Sequence, residues 1–259
     1  MLQSIFPAII LIMAGMSSCT NQSTTEKGEI DSSLEIIDQA ISAMGGDILD
    51  HAEINFDFRD QSLSYYNNKG DYRYTRVFPD TAGRIVTDTL TNEDFIRYID
   101  GQKLELSDDR KKTLQGGVNS IIYFAFLPYR LTDASVISEY IDQVTIKGQS
   151  YDKIRVSFHN PEGDAAHNDV YYYYFDTGDA DLDYLAYEFF EDGGGIRFRS
   201  AYNERVIEGL TIRDYINYGA DPEAVDYSKI EEYYNNDELR ELSRIELRNI
   251  EVKNLRSKS

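Results

Sequence analysis

Two histidines and three acidic residues stand together in one polar segment, which makes them the first candidates for metal chemistry. The segment reads HNPEGDAAHND and runs from His159 through His167 to Asp169. Imidazole and carboxylate groups bind divalent cations, but a zinc site places its two histidines on one helical face or on alternate strand positions. This spacing matches neither arrangement and is more typical of a solvated loop. We therefore predict no metal site.

Three aspartates, Asp179, Asp181 and Asp183, occupy alternate positions, as the first ligands of a calcium-binding loop do. Such a loop requires glycine next and glutamate at its end, where this chain has Tyr184 and Phe190. The cluster is therefore interpreted as a charged turn between strands.

Other kinds of catalytic site find no support in the sequence. There is no nucleophile elbow, phosphate-binding loop or dinucleotide fingerprint. A Schiff-base lysine would need a desolvated site, whereas Lys147 and Lys153 have polar neighbours and are expected to face solvent. The sequence thus predicts no catalytic residue and no cofactor, and a protein that is not an enzyme.

Two arginines, Arg197 and Arg199, flank Phe198 in a segment that alternates as a β-strand does, with Tyr202 on the same face as Phe198. If the arginine face looks into a concave sheet, the pair could bind a carboxylate or phosphate headgroup. If it looks outward, the arginines would pair with acids on neighbouring strands, such as Glu188. We favour the outward orientation, and both alternatives stay open.

The segment from Ile121 to Tyr129, IIYFAFLPY, is the most apolar part of the chain after its N-terminal region. It is either a gate over an apolar cavity or ordinary core that closes the sheet. Together with the arginine strand it supplies the candidate ligand-binding residues, which are Phe124, Phe126, Leu127, Tyr129, Arg197, Phe198, Arg199 and Tyr202.

Most of the chain has the period of two that is typical of β-strands. Residues 52–106 alternate between apolar and polar side chains, and residues 169–218 form aromatic and β-branched runs broken by Gly and Asp clusters. The run from Val170 to Phe175 is aromatic on both faces, so we expect it to be covered on both. Short connections imply antiparallel neighbours. The fold class is therefore mainly β (α+β), with roughly ten or eleven strands in a strongly curved sheet or incomplete barrel.

Two or three helices are expected to lie on the concave side of this sheet. The first begins at a capping box at Ser32 and ends at Gly45-Gly46, and the second begins at Ser107 or Asp108 and ends before Pro128. A third begins at Asp226 and continues through Leu239 and Leu242. A final strand changes phase near Asn249, as a β-bulge would produce.

Composition narrows the possible partners. The chain has 259 residues, a net charge of -20 and a sequence pI near 4.5. We expect a protein this acidic to bind poorly to nucleic acid and to anionic lipid headgroups, because like charges repel each other. Its 21 Tyr and 12 Phe supply ample material for a core.

The single cysteine, Cys19, follows an apolar run from Ile5 to Gly15 that is too short to span a bilayer. Small residues before a cysteine at this place resemble a lipobox. We therefore predict a signal peptide over residues 1–18, a lipidated flexible tether over residues 19–30 and one β-rich domain over residues 31–259. The expected location is the outer membrane, on the periplasmic face.

Several features together resemble the half-barrel folds of the Lol lipoprotein carriers, LolA and LolB. They are the lipidated cysteine, the helix ending in Ala43-Met44-Gly45-Gly46, the long meander and the mid-chain helix. The segments NSIIYFAFLPY, DYLAY and RFRSAYN also resemble a family of Bacteroidetes lipoproteins of unassigned function. The resemblance to the carriers implies a cavity that holds an acyl chain or another apolar ligand.

The predicted function is that of a lipid-anchored envelope protein that binds a hydrophobic or amphiphilic ligand without catalysis. One alternative is a structural or interaction module of an envelope complex whose interior is filled by its own helix. A hydrolase or an aldolase-type enzyme is a further alternative. The sequence names no protein partner.

Overall fold

The computed structural model describes residues 23–159, 169–189 and 194–256, with side chains from residue 32 onward. Most of these residues form β-strands. In chain order the strands are β1 (His51–Phe58), β2 (Gln61–Asn68), β3 (Asp71–Pro79), β4 (Ile85–Thr91), β5 (Phe95–Ile99), β6 (Gln102–Leu104), β7 (Val136–Ile146), β8 (Gln149–Phe158), β9 (Tyr171–Asp176), β10 (Leu182–Phe189), β11 (Gly195–Ile207), β12 (Leu210–Ala220), β13 (Arg240–Ile245) and β14 (Leu247–Asn254). The helices within this part of the chain are α1 (Ser23–Ala43), α2 (Asp108–Ala125) and α3 (Ile230–Asn235).

The strands form two antiparallel sheets of seven strands each. The first sheet has the order β14-β1-β2-β3-β4-β5-β6, and the second has the order β13-β12-β11-β10-β9-β8-β7. Both sheets are curved and neither closes into a barrel. The predicted mainly β fold with a curved, open antiparallel architecture is confirmed. The described residues contain fourteen strands, however, where ten or eleven were expected.

The first helix begins earlier than predicted. α1 starts at Ser23, so the backbone of residues 23–30 is helical where a flexible tether was expected, and Ser32 lies inside the helix rather than at its cap. The end of the helix agrees with prediction, because Gly45 has a left-handed backbone with φ of 76°. Residues 1–22, including Cys19 and the predicted signal peptide, lie outside the described residues.

The second helix agrees with prediction at both ends. The Ser107 hydroxyl accepts a hydrogen bond from the Arg110 N–H, and the helix ends at Ala125, shortly before Pro128. α2 packs against β3, β4 and β5 of the first sheet. Its buried residues Val118 and Ile122 belong to the core cluster on that side.

The second sheet is covered on both faces. Tyr173 and Phe175 of β9 pack with Ile37 of α1, and we call this face the inner face. Tyr172 and Tyr174 pack on the opposite, outer face with α3. The prediction that this strand is covered on both sides is confirmed. α1 and α3 therefore lie on opposite faces of the second sheet.

The third helix is shorter than expected. A short 3-10 helix over Tyr227–Lys229 leads into α3, which ends at Asn235, and the residues around Leu242 form β13 instead. The predicted β-bulge is confirmed, since Asn249 has φ of 51° and the pairing of β1 with β14 shifts register there. No helix of the described residues combines the length and hydrophobicity needed to cross a membrane.

Candidate functional site

An apolar cavity of about 300 Å³ lies between the last turns of α2 and the inner face of the second sheet. Ile121 and Phe124 of α2 form one wall. Tyr171 of β9 and Tyr187 of β10 form much of the opposite wall, and Leu247 of β14 contributes at the side where the first sheet approaches. The site therefore draws on both sheets and on the helix between them.

Helix and strand periodicity explain why these side chains meet. Ile121 and Phe124 are three residues apart, so they share one face of α2, while Val118 and Ile122 face the first sheet. Tyr171 and Tyr187 are direct cross-strand partners, and their rings stack with centroids 5.7 Å apart. The Phe124 ring approaches the Tyr187 ring at 5.8 Å.

Arg199 of β11 also lines this cavity, and its guanidinium group lies against aromatic side chains of the wall. Its guanidinium carbon lies 4.5 Å from the ring centroid of Phe124 and 5.2 Å from that of Tyr187. Nη2 donates a hydrogen bond to the Tyr187 hydroxyl at 3.0 Å. Nε is buried and has no hydrogen-bond acceptor among the described residues. The arginine face of β11 therefore looks inward, against our preference for the outward orientation.

Two further charged groups line the cavity, and both have partners. Arg213 forms ion pairs with Asp181 and with Glu204, the latter at 2.7 Å. Asp169 accepts a hydrogen bond from the Tyr171 hydroxyl at 3.4 Å. Burial and the neighbouring Asp169 raise the pKa of Tyr171 above its ordinary value.

A larger cavity of about 720 Å³ lies near the end of α1 and has a polar wall. Tyr129 lines it and donates a hydrogen bond to Asp50. Burial, together with this bond, raises the pKa of Tyr129. Asp38 and Asp133 also line this cavity. Because burying a hydrocarbon chain against charged groups gains little free energy, the smaller cavity is the better site for an apolar ligand.

The structure brings only part of the predicted ligand-binding set to the apolar cavity. Phe124 and Arg199 line it, whereas Tyr129 lines the polar one. Phe126 is 2% exposed and packs in the core of the first sheet, and Leu127 packs in the core between α1 and the second sheet.

The other residues of that set lie elsewhere. Phe198 is on the outer face of the second sheet, where its ring stacks on Tyr234 of α3 at 4.6 Å. The guanidinium of Arg197 lies over the ring of Phe189, outside the cavity wall. Tyr202 donates a hydrogen bond to Glu246 at 3.0 Å. For Phe198 the reason is the alternation of β11, which directs Phe198 and Arg199 to opposite faces.

Sequence reasoning missed the tyrosines of the cavity. Tyr171 and Tyr187 stood in a segment that is aromatic throughout, so their types alone did not separate them from the core. Their cross-strand positions relative to Arg199 were the available signal, because Tyr187 lies diagonally opposite that residue in the β10–β11 pairing. Reading this signal requires the strand register, which the turn lengths did not fix.

The structure describes only some of the other residues that were considered for chemistry. Residues 160–168, with His167, lie outside the described residues. Asp179 and Asp181 lie in the turn between β9 and β10, as predicted, whereas Asp183 is part of β10 and accepts a hydrogen bond from the Tyr151 hydroxyl. Among the described residues no three metal-ligating side chains are grouped to hold an ion. The expectation for Lys153 was wrong, since this side chain is buried and paired with Glu231.

Comparison with known proteins gives a family for this chain. The sequence profile of DUF6503, described as a family of unknown function, matches residues 6–248. The chain belongs to this family. A comparison with curated proteins finds no match.

Two solved structures are similar in fold. One is a LolA superfamily protein from Nitrosomonas europaea, with a TM-score of 0.46 and 10% identity, covering 88% of this chain and 94% of that one. The other is the Mycobacterium tuberculosis lipoprotein LppX, with a TM-score of 0.31 and 13% identity, covering 64% of this chain and 91% of that one.

Proposed function

We propose that this protein binds an apolar or amphiphilic molecule in the cavity between α2 and the second sheet, and that it acts without catalysis. The observation that supports this function is the cavity itself, which has a volume of about 300 Å³ and is lined mainly by aromatic and aliphatic side chains. Binding sites for small apolar molecules are typically lined by hydrophobic and aromatic side chains, and the wall of this cavity has that composition, whereas the wall of the larger cavity is polar. Phe124, Tyr171 and Tyr187 are the proposed contacts for the ligand.

We further propose that the protein is anchored through a lipid on Cys19 and acts at the outer membrane, facing the periplasm. The apolar run from Ile5 to Gly15 and the small residues before Cys19 support this part of the proposal. An anchor of this kind would hold the cavity close to a source of amphiphilic molecules. The structural neighbours show the fold alone and leave the ligand open.

A cavity-filling substitution tests the binding function. Ser120 and Asn119 are both exposed on α2, but only Ser120 lines the cavity. Ser120→Phe therefore adds a ring at the cavity, whereas Asn119→Phe adds it outside. We expect native mass spectrometry of protein purified from its own envelope to show a bound apolar molecule in the wild type and in N119F. The S120F variant should lose most of it, with an unchanged melting temperature.

Recovery of empty wild-type protein in repeated preparations would contradict the binding function. It would favour the alternative in which the domain is an interaction module of an envelope complex. Equal ligand content in S120F and N119F would show that the molecule binds elsewhere on the protein.

Cys19→Ser tests the anchor. A thioether-linked lipid requires the sulfur atom, so we expect the variant to move from the membrane fraction to the soluble fraction on cell fractionation. Membrane retention equal to that of the wild type would contradict lipidation at this residue.

A further inference from the structure

Arg199 carries a positive charge into the apolar cavity, and no carboxylate of the described residues forms an ion pair with it. Among the described residues its side chain donates one hydrogen bond, to the neutral hydroxyl of Tyr187, and forms no ion pair. The rings of Phe124 and Tyr187 supply cation–π attraction, which compensates only part of the cost of removing a guanidinium from water. The buried Nε atom has no acceptor within the described part of the chain.

The two buried cations of the described structure are both paired, whereas Arg199 is half-buried. Arg213, in the wall of the same cavity, binds Asp181 and Glu204. Lys153, on the outer face of the same sheet, binds Glu231 at 2.8 Å. Buried charges in proteins are normally paired in this way. The fold therefore provides counter-charges for these two cations and leaves Arg199 facing the cavity.

Resting on the binding function proposed above, we propose that the ligand is a single-chain amphiphile with an anionic headgroup, and that Arg199 binds this headgroup. A guanidinium group is a planar fork of five N–H donors that matches the oxygens of a carboxylate or a phosphate. Arg199 uses one donor for Tyr187. Such a pair is stronger in half-buried, mainly apolar surroundings than on a fully exposed surface.

The rest of the wall fits the hydrocarbon part of such a molecule. Ile121, Phe189 and Leu247 line the cavity and offer apolar surface. The volume of about 300 Å³ lies at the lower end of the usual range for ligand pockets, about 300 to 1,000 Å³, and so suits one chain better than a lipid with several. The headgroup would lie against β11 and the chain along α2.

Isothermal titration calorimetry with three ligands of equal chain length tests this inference. The delipidated full-length protein is titrated with dodecanoate, dodecyl phosphate and the neutral dodecanol. We expect the wild type to bind at least one of the two anions about tenfold or more tightly than dodecanol, since a charge-assisted hydrogen bond contributes about that factor. The relative affinity of the two anions identifies the headgroup as carboxylate or phosphate.

Arg199→Met is expected to abolish the preference for anions, so that dodecanoate and dodecyl phosphate bind no more tightly than dodecanol does. A circular dichroism spectrum and a melting temperature like those of the wild type show that the variant folds. The control is Arg155→Met, which removes the same charge from β8, where Arg155 pairs with Glu139 and lies opposite the outer-face residue Tyr172. R155M should keep the preference.

The possible failures are distinguishable. Equal affinity of the wild type for dodecanol and both anions would overturn this inference and leave the binding function standing. A preference for anions that persists in R199M would overturn the role of Arg199. Wild-type protein that binds none of the three ligands would count against the binding function itself.

Discussion

Lys153 and Glu231 form an ion pair that is almost completely removed from water beneath α3. Lys153 is 2% exposed and Glu231 is 5% exposed. The ammonium group donates to Glu231 Oε1 at 2.8 Å and to the Ser228 carbonyl at 2.6 Å, and the Tyr174 hydroxyl donates to Glu231 Oε2 at 2.8 Å. The pair thus joins the outer face of the second sheet to the helix that covers it.

Removing one partner of this pair is predicted to be more harmful than removing both. Lys153→Met leaves the Glu231 carboxylate buried without its cation, so we expect the free energy of unfolding to fall by about 3 to 5 kcal/mol. The double variant K153M/E231L should recover part of this loss, because no unpaired charge remains. Urea denaturation of the two single variants and the double variant measures the coupling. Strictly additive losses would contradict a coupled pair.

At the scale of elements, the end of α1 is fixed against the turn between β11 and β12. The Thr211 N–H donates to the Met44 carbonyl at 2.8 Å. A Cβ atom added to Gly45 would lie 2.1 Å from the Gly209 carbonyl oxygen, and the left-handed backbone of Gly45 also disfavours a side chain. Glycine is therefore required here for two separate reasons.

Two glycine variants separate these reasons. Gly45→Ala combines an unfavourable backbone conformation with a steric clash, and we expect it to destabilise the protein by about 3 kcal/mol or more. Gly70 also has a positive φ, of 86°, but no atom lies within 4 Å of an added Cβ, so Gly70→Ala should cost only about 1 kcal/mol. Thermal unfolding followed by circular dichroism compares them. Equal losses would show that the contact with Gly209 contributes nothing.

The elements differ in how far the sequence predicts them. Strands β1 to β5 were predicted from their period of two, and burial alternates clearly in β1, β2 and β4. β13 is an edge strand with many exposed residues, and it was assigned to a helix through the spacing of Leu239 and Leu242. The division into two sheets depends on long-range pairing, which no local pattern contains. For the same reason the sequence did not identify Tyr171 and Tyr187 as residues of the cavity. Phe124 and Arg199 were identified because of their side-chain chemistry.

At the scale of the whole molecule, the many buried tyrosines are expected to make the folded state less stable at high pH. Burial raises the pKa of Tyr123 from 10.0 to about 12, and it raises that of Tyr215 to about 12 as well. A phenol with a raised pKa keeps its proton in the folded protein at a pH where the unfolded chain has lost it. Stability from these groups is therefore complete below pH 10 and falls as the pH rises from about 10 to about 12.

We expect a spectrophotometric titration followed in parallel by circular dichroism to show that the buried tyrosines ionise only as the fold is lost. Urea midpoints measured at pH 8 and at about pH 10.5 should differ, with the lower midpoint at the higher pH. Ionisation of every tyrosine near pH 10 in a folded protein would contradict this burial.

The pairing of β1 with β14 has a consequence for how the chain is assembled. β1 is among the first strands to leave the ribosome or a translocation channel, but its second neighbour begins only at Leu247. Until that residue emerges, one edge of β1 has no antiparallel partner and is free to pair with another copy of the nascent chain. The first sheet is thus completed late. A protein shortened by its final strand would keep an unpaired edge on β1, and this edge would promote aggregation.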